Sequence, residues 1–195
     1  MRYRMLLTIV VVSLMSTACV SAKSYVDPQL PRVGYADLLR RTEPRPVQVS
    51  VEFQRNGTPH AGATSIALDR VVRVLEASKI FSTVGLKDEP GRDQIQVVLN
   101  NVGDIGDAVS KGIGTGLTFG AAGSMVTDGY VFTATYRPVG KAAIQKTYRH
   151  ALHTTIGNAS GPAGLTPMST QEAFDKVVQD LVLNFLLDLQ KEERL

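Results

Sequence analysis

The chain predicts an α+β fold: a two-layer sandwich in which a mainly antiparallel sheet of about four to five strands carries two amphipathic helices on one face. Three observations predict it. Residues 47–54 alternate strictly, with Val47, Val49, Val51 and Phe53 on one side and Gln48, Ser50, Glu52 and Gln54 on the other, as in a strand with one buried face. Two stretches instead repeat at helical spacing, Leu68-Val71-Val72-Leu75 and Phe174-Val177-Val178-Leu181-Phe185-Leu189. Between the helices, strand-like runs are punctuated by proline and glycine turns, an order that suits segregated strands and helices.

The elements follow in order. Asn56-Gly57 and Pro59 end the first strand with turn residues. The first helix runs from about Ala63 to Ser78, and Ile80 to Gly85 reads as a short extended piece. Lys87 to Asp93 forms a charged turn around Pro90-Gly91. The strand from Asp93 to Val102 is apolar on both faces around Ile95, Val97, Val98 and Leu99, which suits a central position. Tyr130–Tyr136 and Ala142–Ile156, joined through Arg137-Pro138-Val139-Gly140, make a hairpin whose second strand sets Ile144, Tyr148, Leu152 and Ile156 on one face. After a loop from Gly157 to Pro167, Ser169 opens the last helix, with Glu172 placed to complete a capping box.

Ahead of this domain the chain has another character. Arg2 and Arg4 precede an apolar stretch from about Met5 to Met15, and Leu14-Met15-Ser16-Thr17-Ala18-Cys19 closes it with small residues. A basic start, an apolar core and a small-residue exit describe an export signal that is removed. The apolar run is roughly 11 residues, against the ~20 that span a bilayer. Because the exit ends on cysteine, the arrangement resembles a bacterial lipoprotein signal, with Ala18 fitting the small side chain before the cut and Ser16 standing where the family usually has leucine. The resemblance implies that the Cys19 thiol receives a diacylglycerol, that residues 1–18 are cleaved, and that the new amino terminus is acylated, palmitate being the diagnostic label. Val20 stands where aspartate marks inner-membrane retention in the enterobacterial version of the family, so the resemblance implies the outer membrane, with the domain facing the periplasm.

The organisation expected is therefore a signal at 1–18, an acylated cysteine with a proline-containing tether or arm at 19–46, and one domain at 47–195 with a glycine-rich apolar segment at 104–128. Tyr25, Val33, Tyr35, Leu38 and Leu39 favour an arm partly packed on the domain over a free tether. Cys19 is the single cysteine, so an internal disulfide is excluded. The chain holds 21 basic and 18 acidic side chains, and loss of Arg2 and Arg4 brings the mature part close to balance, which with export argues against nucleic acid as a partner.

Two segments invite functional readings. Gly112, Gly116 and Gly120 recur at four-residue intervals, with Leu117 and Phe119 among them, and glycine at that spacing lets another backbone approach closely. These five residues are the candidate partner or membrane contact. The uncharged run 112–127 covers 16 residues, short of the ~20 needed to span, so a loop folded on the sheet is the alternative. His150 and His153 stand three apart on a strand, so they face opposite sides and do not converge on one metal. No Gly-x-Ser-x-Gly elbow or phosphate loop appears, and Asp104 and Asp107 lack the further ligands of a calcium loop. No enzyme activity, metal or cofactor is expected.

The helix-to-strand joint Leu75-Glu76-Ala77-Ser78-Lys79-Ile80-Phe81-Ser82-Thr83-Val84 resembles that of small envelope lipoproteins, among them the LPS-assembly lipoprotein, the YajG-type lipoproteins and the peptidoglycan-synthase activator lipoproteins. The resemblance implies a fold class more than a task; the function expected is that of a non-catalytic outer-membrane lipoprotein acting as an envelope assembly or interaction module. The alternatives are an oligomeric or membrane-inserting lipoprotein using residues 112–123, and a periplasmic carrier of an apolar ligand.

Overall fold

The computed structural model describes residues 22–102 and 124–195. The strands are β1 (Ala22–Val26), β2 (Val47–Arg55), β3 (Thr58–Pro59), β4 (Val84–Gly85), β5 (Asp93–Val102), β6 (Ser124–Arg137) and β7 (Ile144–Ile156), and the helices are α1 (Ala61–Ser78) and α2 (Thr170–Lys191). One seven-stranded sheet forms in the order β1-β7-β6-β5-β2-β3, with β4 also paired to β2. All the neighbouring pairs are antiparallel except β2 with β5 and β2 with β4. The α+β sandwich is thus the fold, with more strands than the hydrophobic pattern predicts.

The alternation of β2 buries Val47 and Val49, and β5 buries Ile95, Val97 and Leu99 at the sheet centre. Across from them lie Val71, Val74 and Leu75 of α1 and Val177, Val178, Leu181, Phe185 and Leu189 of α2. Phe132 sits where the layers meet, its ring 6.3 Å from Phe185 and 6.2 Å from Tyr148. Each such aromatic pair adds about 0.5–1.5 kcal/mol beyond simple burial. At the joint after α1, Ile80 and Phe81 are buried and Val84 opens β4.

Both helices are capped by side chains. The Ser169 hydroxyl accepts from the Glu172 amide at 3.2 Å, and the Glu172 carboxylate accepts from the Ser169 amide at 2.9 Å, the predicted box. His60 caps α1, its Nδ1 accepting from the Ala63 amide at 3.2 Å, which moves the helix start to Ala61. Lys79 ends α1 in the left-handed region at φ 57°.

The largest departure from expectation lies in the arm. Residues 22–26 are a strand of the sheet: Ala22 pairs with Ile156 and Val26 with Leu152. Its other edge is closed by Met168, which exchanges two 2.9 Å backbone bonds with Ser24. Tyr25 is buried beneath the loop that follows β7, at Gly161, where a Cβ would stand 2.2 Å from the Tyr25 ring. Beyond β1 the arm crosses α2. Asn184 Nδ2 donates to the Pro31 carbonyl at 2.8 Å, and the Gln190 amide group bonds both the N–H (3.0 Å) and the carbonyl (2.5 Å) of Leu39. Val33 and Leu38 are buried as anchors, whereas Tyr35 and Leu39 stay exposed, Leu39 to 75%. Leu39 is held through its backbone, so its side chain is free to face solvent.

The arm ends on Asp93, the first residue of β5, which is fully buried. Its Oδ2 accepts from the Tyr136 hydroxyl at 2.7 Å and its Oδ1 from the Val139 amide at 2.9 Å. Arg41 Nη1 lies 3.8 Å and Arg45 Nε 3.7 Å from the carboxylate. This knot joins the arm, β5 and the β6–β7 turn.

Candidate functional site

Cys19 and the glycine-rich candidates Gly112, Gly116, Leu117, Phe119 and Gly120 lie outside the described residues. Their attachment points are described, and they share one end of the sheet. Ala22, where β1 begins, pairs with Ile156, the last residue of β7; Ile156 pairs in turn with Ser124, the first of β6. Val102, where β5 ends, pairs with Gly129. Residues 124–128 therefore run past the end of β5, and β1, β7 and β6 project as a three-stranded ribbon, by roughly 17 Å at ~3.4 Å per residue. Both ends of the stretch 103–123 reach the sheet at this ribbon.

The ribbon tip is apolar on its inner face. Val126 is 41% and Ile156 39% exposed. Val126 pairs with Thr154, two residues from Ile156, so the two side chains are diagonal neighbours on one face. Lys23 is exposed at the same strand end but, paired with Thr155, it lies on the opposite face.

Higher on the ribbon lie the two histidines, on opposite faces as their spacing requires. His150 points to the helix layer, its Nε2 3.5 Å from Asp180 Oδ2 in α2, and Lys176 bonds the same carboxylate one turn away. His153 points outward, its Nε2 3.3 Å from Asp27 Oδ2 and its Nδ1 2.9 Å from the Thr127 hydroxyl. Carboxylate, imidazole and hydroxyl in line are the parts of a nucleophilic relay. Here Asp27 is 3% and His153 2% exposed, so the relay is closed over rather than set in a cleft. Its effect is to clasp the end of β1 to β7 and β6. Among the described residues no group of three or more His, Cys, Asp or Glu side chains is placed to hold a metal.

The clasp is sensitive to acid. Burial raises the Asp27 carboxyl, but hydrogen bonds from His153 and the Gln29 amide outweigh it and hold the group below its ordinary value of 3.8. The stabilisation is therefore complete above that value and is lost as pH falls through the lower folded value. Asp27→Asn is expected to flatten the fall in stability below pH ~4 in acid unfolding; an unchanged slope would contradict the clasp.

The opposite end of the sheet holds a groove lined by Leu39, Arg40, Arg41, Thr42, Glu43, Arg45, Gln190 and Leu195. Its three arginines make it a poor lining for an apolar ligand. The sheet face away from the helices is polar along much of its length, with Thr133 bonded to Thr147 at 3.3 Å, Gln145 to Thr135 at 3.2 Å and Arg137 to Gln96 at 3.2 Å. Asp27 and Thr127 were not marked by the sequence as partners of His153. Asp27 sits 126 positions from His153 and Thr127 26 positions, and nothing in their neighbourhoods marks them.

No protein-family model matches the chain, and no curated protein matches it. Among solved structures, a minor lipoprotein from Acinetobacter baumannii is similar at 10% identity and TM-score 0.39, over 76% of this chain and 92% of that one. A PelC dodecamer from Paraburkholderia phytofirmans is similar at 14% identity and TM-score 0.37, over 86% and 98%. A neuraminyllactose-binding hemagglutinin homologue from Helicobacter pylori is similar at 10% identity and TM-score 0.44, over 83% and 92%. With every TM-score under 0.5, these likenesses carry no argument about activity or partners.

Proposed function

We propose that this chain is a non-catalytic lipoprotein of the outer membrane, an envelope assembly or interaction module held to the bilayer by acylated Cys19. The observation that carries the reading is the signal pattern from Arg2 to Cys19 leading almost directly into β1, whose pairing begins at Ala22. Anchor and folded domain are joined with scarcely any spacer, so the domain works at the membrane surface. The closed Asp27–His153–Thr127 relay supports a structural over a catalytic role. The sheet face left open by the helices supports docking on a protein partner. Separation of inner and outer membranes on a density gradient tests the address: the chain is expected with the outer-membrane fraction, and recovery with the inner membrane would overturn that part of the reading.

One observation favours a second reading, in which residues 112–123 touch the membrane or another subunit. The described residues on either side of the stretch that holds them are Val102, at the base of the ribbon, and Ser124, at its tip beside Ile156. Light scattering of the domain separates the two readings: a monomer unchanged by Gly116→Leu excludes self-association through this segment.

A further inference from the structure

We propose that the tip of the β1–β7–β6 ribbon, formed by Ala22, Val126 and Ile156 on one face and Lys23 on the other, is the surface on which the domain meets lipid. The inference rests on the reading of Cys19 as acylated and adds an orientation to it.

Chain length supplies the first argument. Even fully extended at ~3.6 Å per residue, the chain keeps Cys19 within roughly 11 Å of Ala22. Ala22 is in turn fixed in register against Ile156. The far end of β7, at Ile144, lies roughly 40 Å away at ~3.4 Å per residue. Cys19 therefore reaches the bilayer only from the ribbon end. The arginine-lined groove and the β6–β7 turn at Val139 belong to the opposite end.

The character of the tip is independent of Cys19. Val126 and Ile156 are exposed and adjacent on one face, whereas single exposed apolar residues elsewhere, such as Ile66 and Leu86, need no explanation. The apolar pair meets the acyl boundary, and Lys23, on the other face of the same strand end, meets phosphate headgroups. The clasp and the Ser24–Met168 bridge hold β1 in the sheet, so the anchor pulls on a fixed strand end. The strands then stand away from the bilayer, with the open sheet face upright and accessible from the side.

The test uses the full acylated chain in vesicles of phosphatidylcholine and phosphatidylglycerol. Ile156→Cys and Val139→Cys each carry a thiol-linked fluorophore, Cys19 being blocked by its own thioether, and lipids spin-labelled near the headgroup act as quenchers. Quenching at position 156 is expected to exceed that at 139 several-fold, and Val126→Cys is expected to behave like position 156, which guards against a local defect in one variant. Vesicle-bound protein quenched equally at 156 and 139, or more at 139, would overturn the orientation and leave the anchor standing. Failure of the chain to float with vesicles would overturn the anchor reading, and the orientation with it.

Discussion

Replacement of Cys19 by alanine is expected to abolish palmitate incorporation and to shift the chain from the membrane to the soluble fraction. The size of the effect follows from what remains without the acyl groups. Each buried methylene contributes about 0.8 kcal/mol, so one acyl chain binds marginally and several bind firmly. Among the described residues no helix is long and apolar enough to cross a membrane, and the uncharged run 112–127 is 16 residues against the ~20 required. At the ribbon tip, Val126 and Ile156 are already more than half buried, and even complete burial of such a side chain gains only about 1.5–3 kcal/mol. That is too little to hold a domain at the membrane alone. Continued sedimentation and labelling of Cys19→Ala would refute the anchor.

The second large effect is expected at Asp93. Its carboxylate satisfies the Tyr136 hydroxyl and the Val139 amide and faces Arg41 and Arg45. Alanine there strands a buried hydroxyl and removes the counter-charge from Arg41, whose Nη1 has no hydrogen-bond partner among the described residues. Removing one member of a buried pair costs about 3–5 kcal/mol, a large fraction of the roughly 5–15 kcal/mol that stabilises a domain. In urea unfolding, Asp93→Ala is expected to lose that amount. Asp93→Asn, which keeps an acceptor for Tyr136, is expected to lose less. A loss below about 1 kcal/mol for Asp93→Ala would show that the knot does not hold the arm, since even a single net hydrogen bond is worth that much.

What was legible in the sequence was what has a period. The alternation of Val47 to Phe53, the stripe of Phe174 to Leu189 and the Ser169–Glu172 box appear in the fold, while the α1 stripe is rotated, burying Ala67, Val71, Val74 and Leu75 and leaving Leu68 and Val72 half-buried. β1 was not legible, because Ala22-Lys23-Ser24-Tyr25-Val26 is short and its strand character comes from backbone pairing with Ile156 and Met168, far off in the chain. The start of β6 was hidden for a related reason: Asp128 and Gly129 interrupt the apolar pattern, and the pairing of residues 124–128 with β7 decides their state. The clasp depends on the same long-range pairing, since Asp27 meets His153 only once β1 has docked. In the candidate site, the proposed role of Cys19 comes from the signal pattern alone. The orientation proposed for the domain could not be read from it, because that needs the register that sets Ala22 beside Ile156.

Modification of Cys19 is read most directly from the mass of the mature amino-terminal peptide purified from membranes. The expected species begins at Cys19 and carries a thioether-linked diacylglycerol and an amide-linked acyl group. A mature chain beginning elsewhere, or one with an unmodified Cys19 thiol, would contradict the acylated anchor.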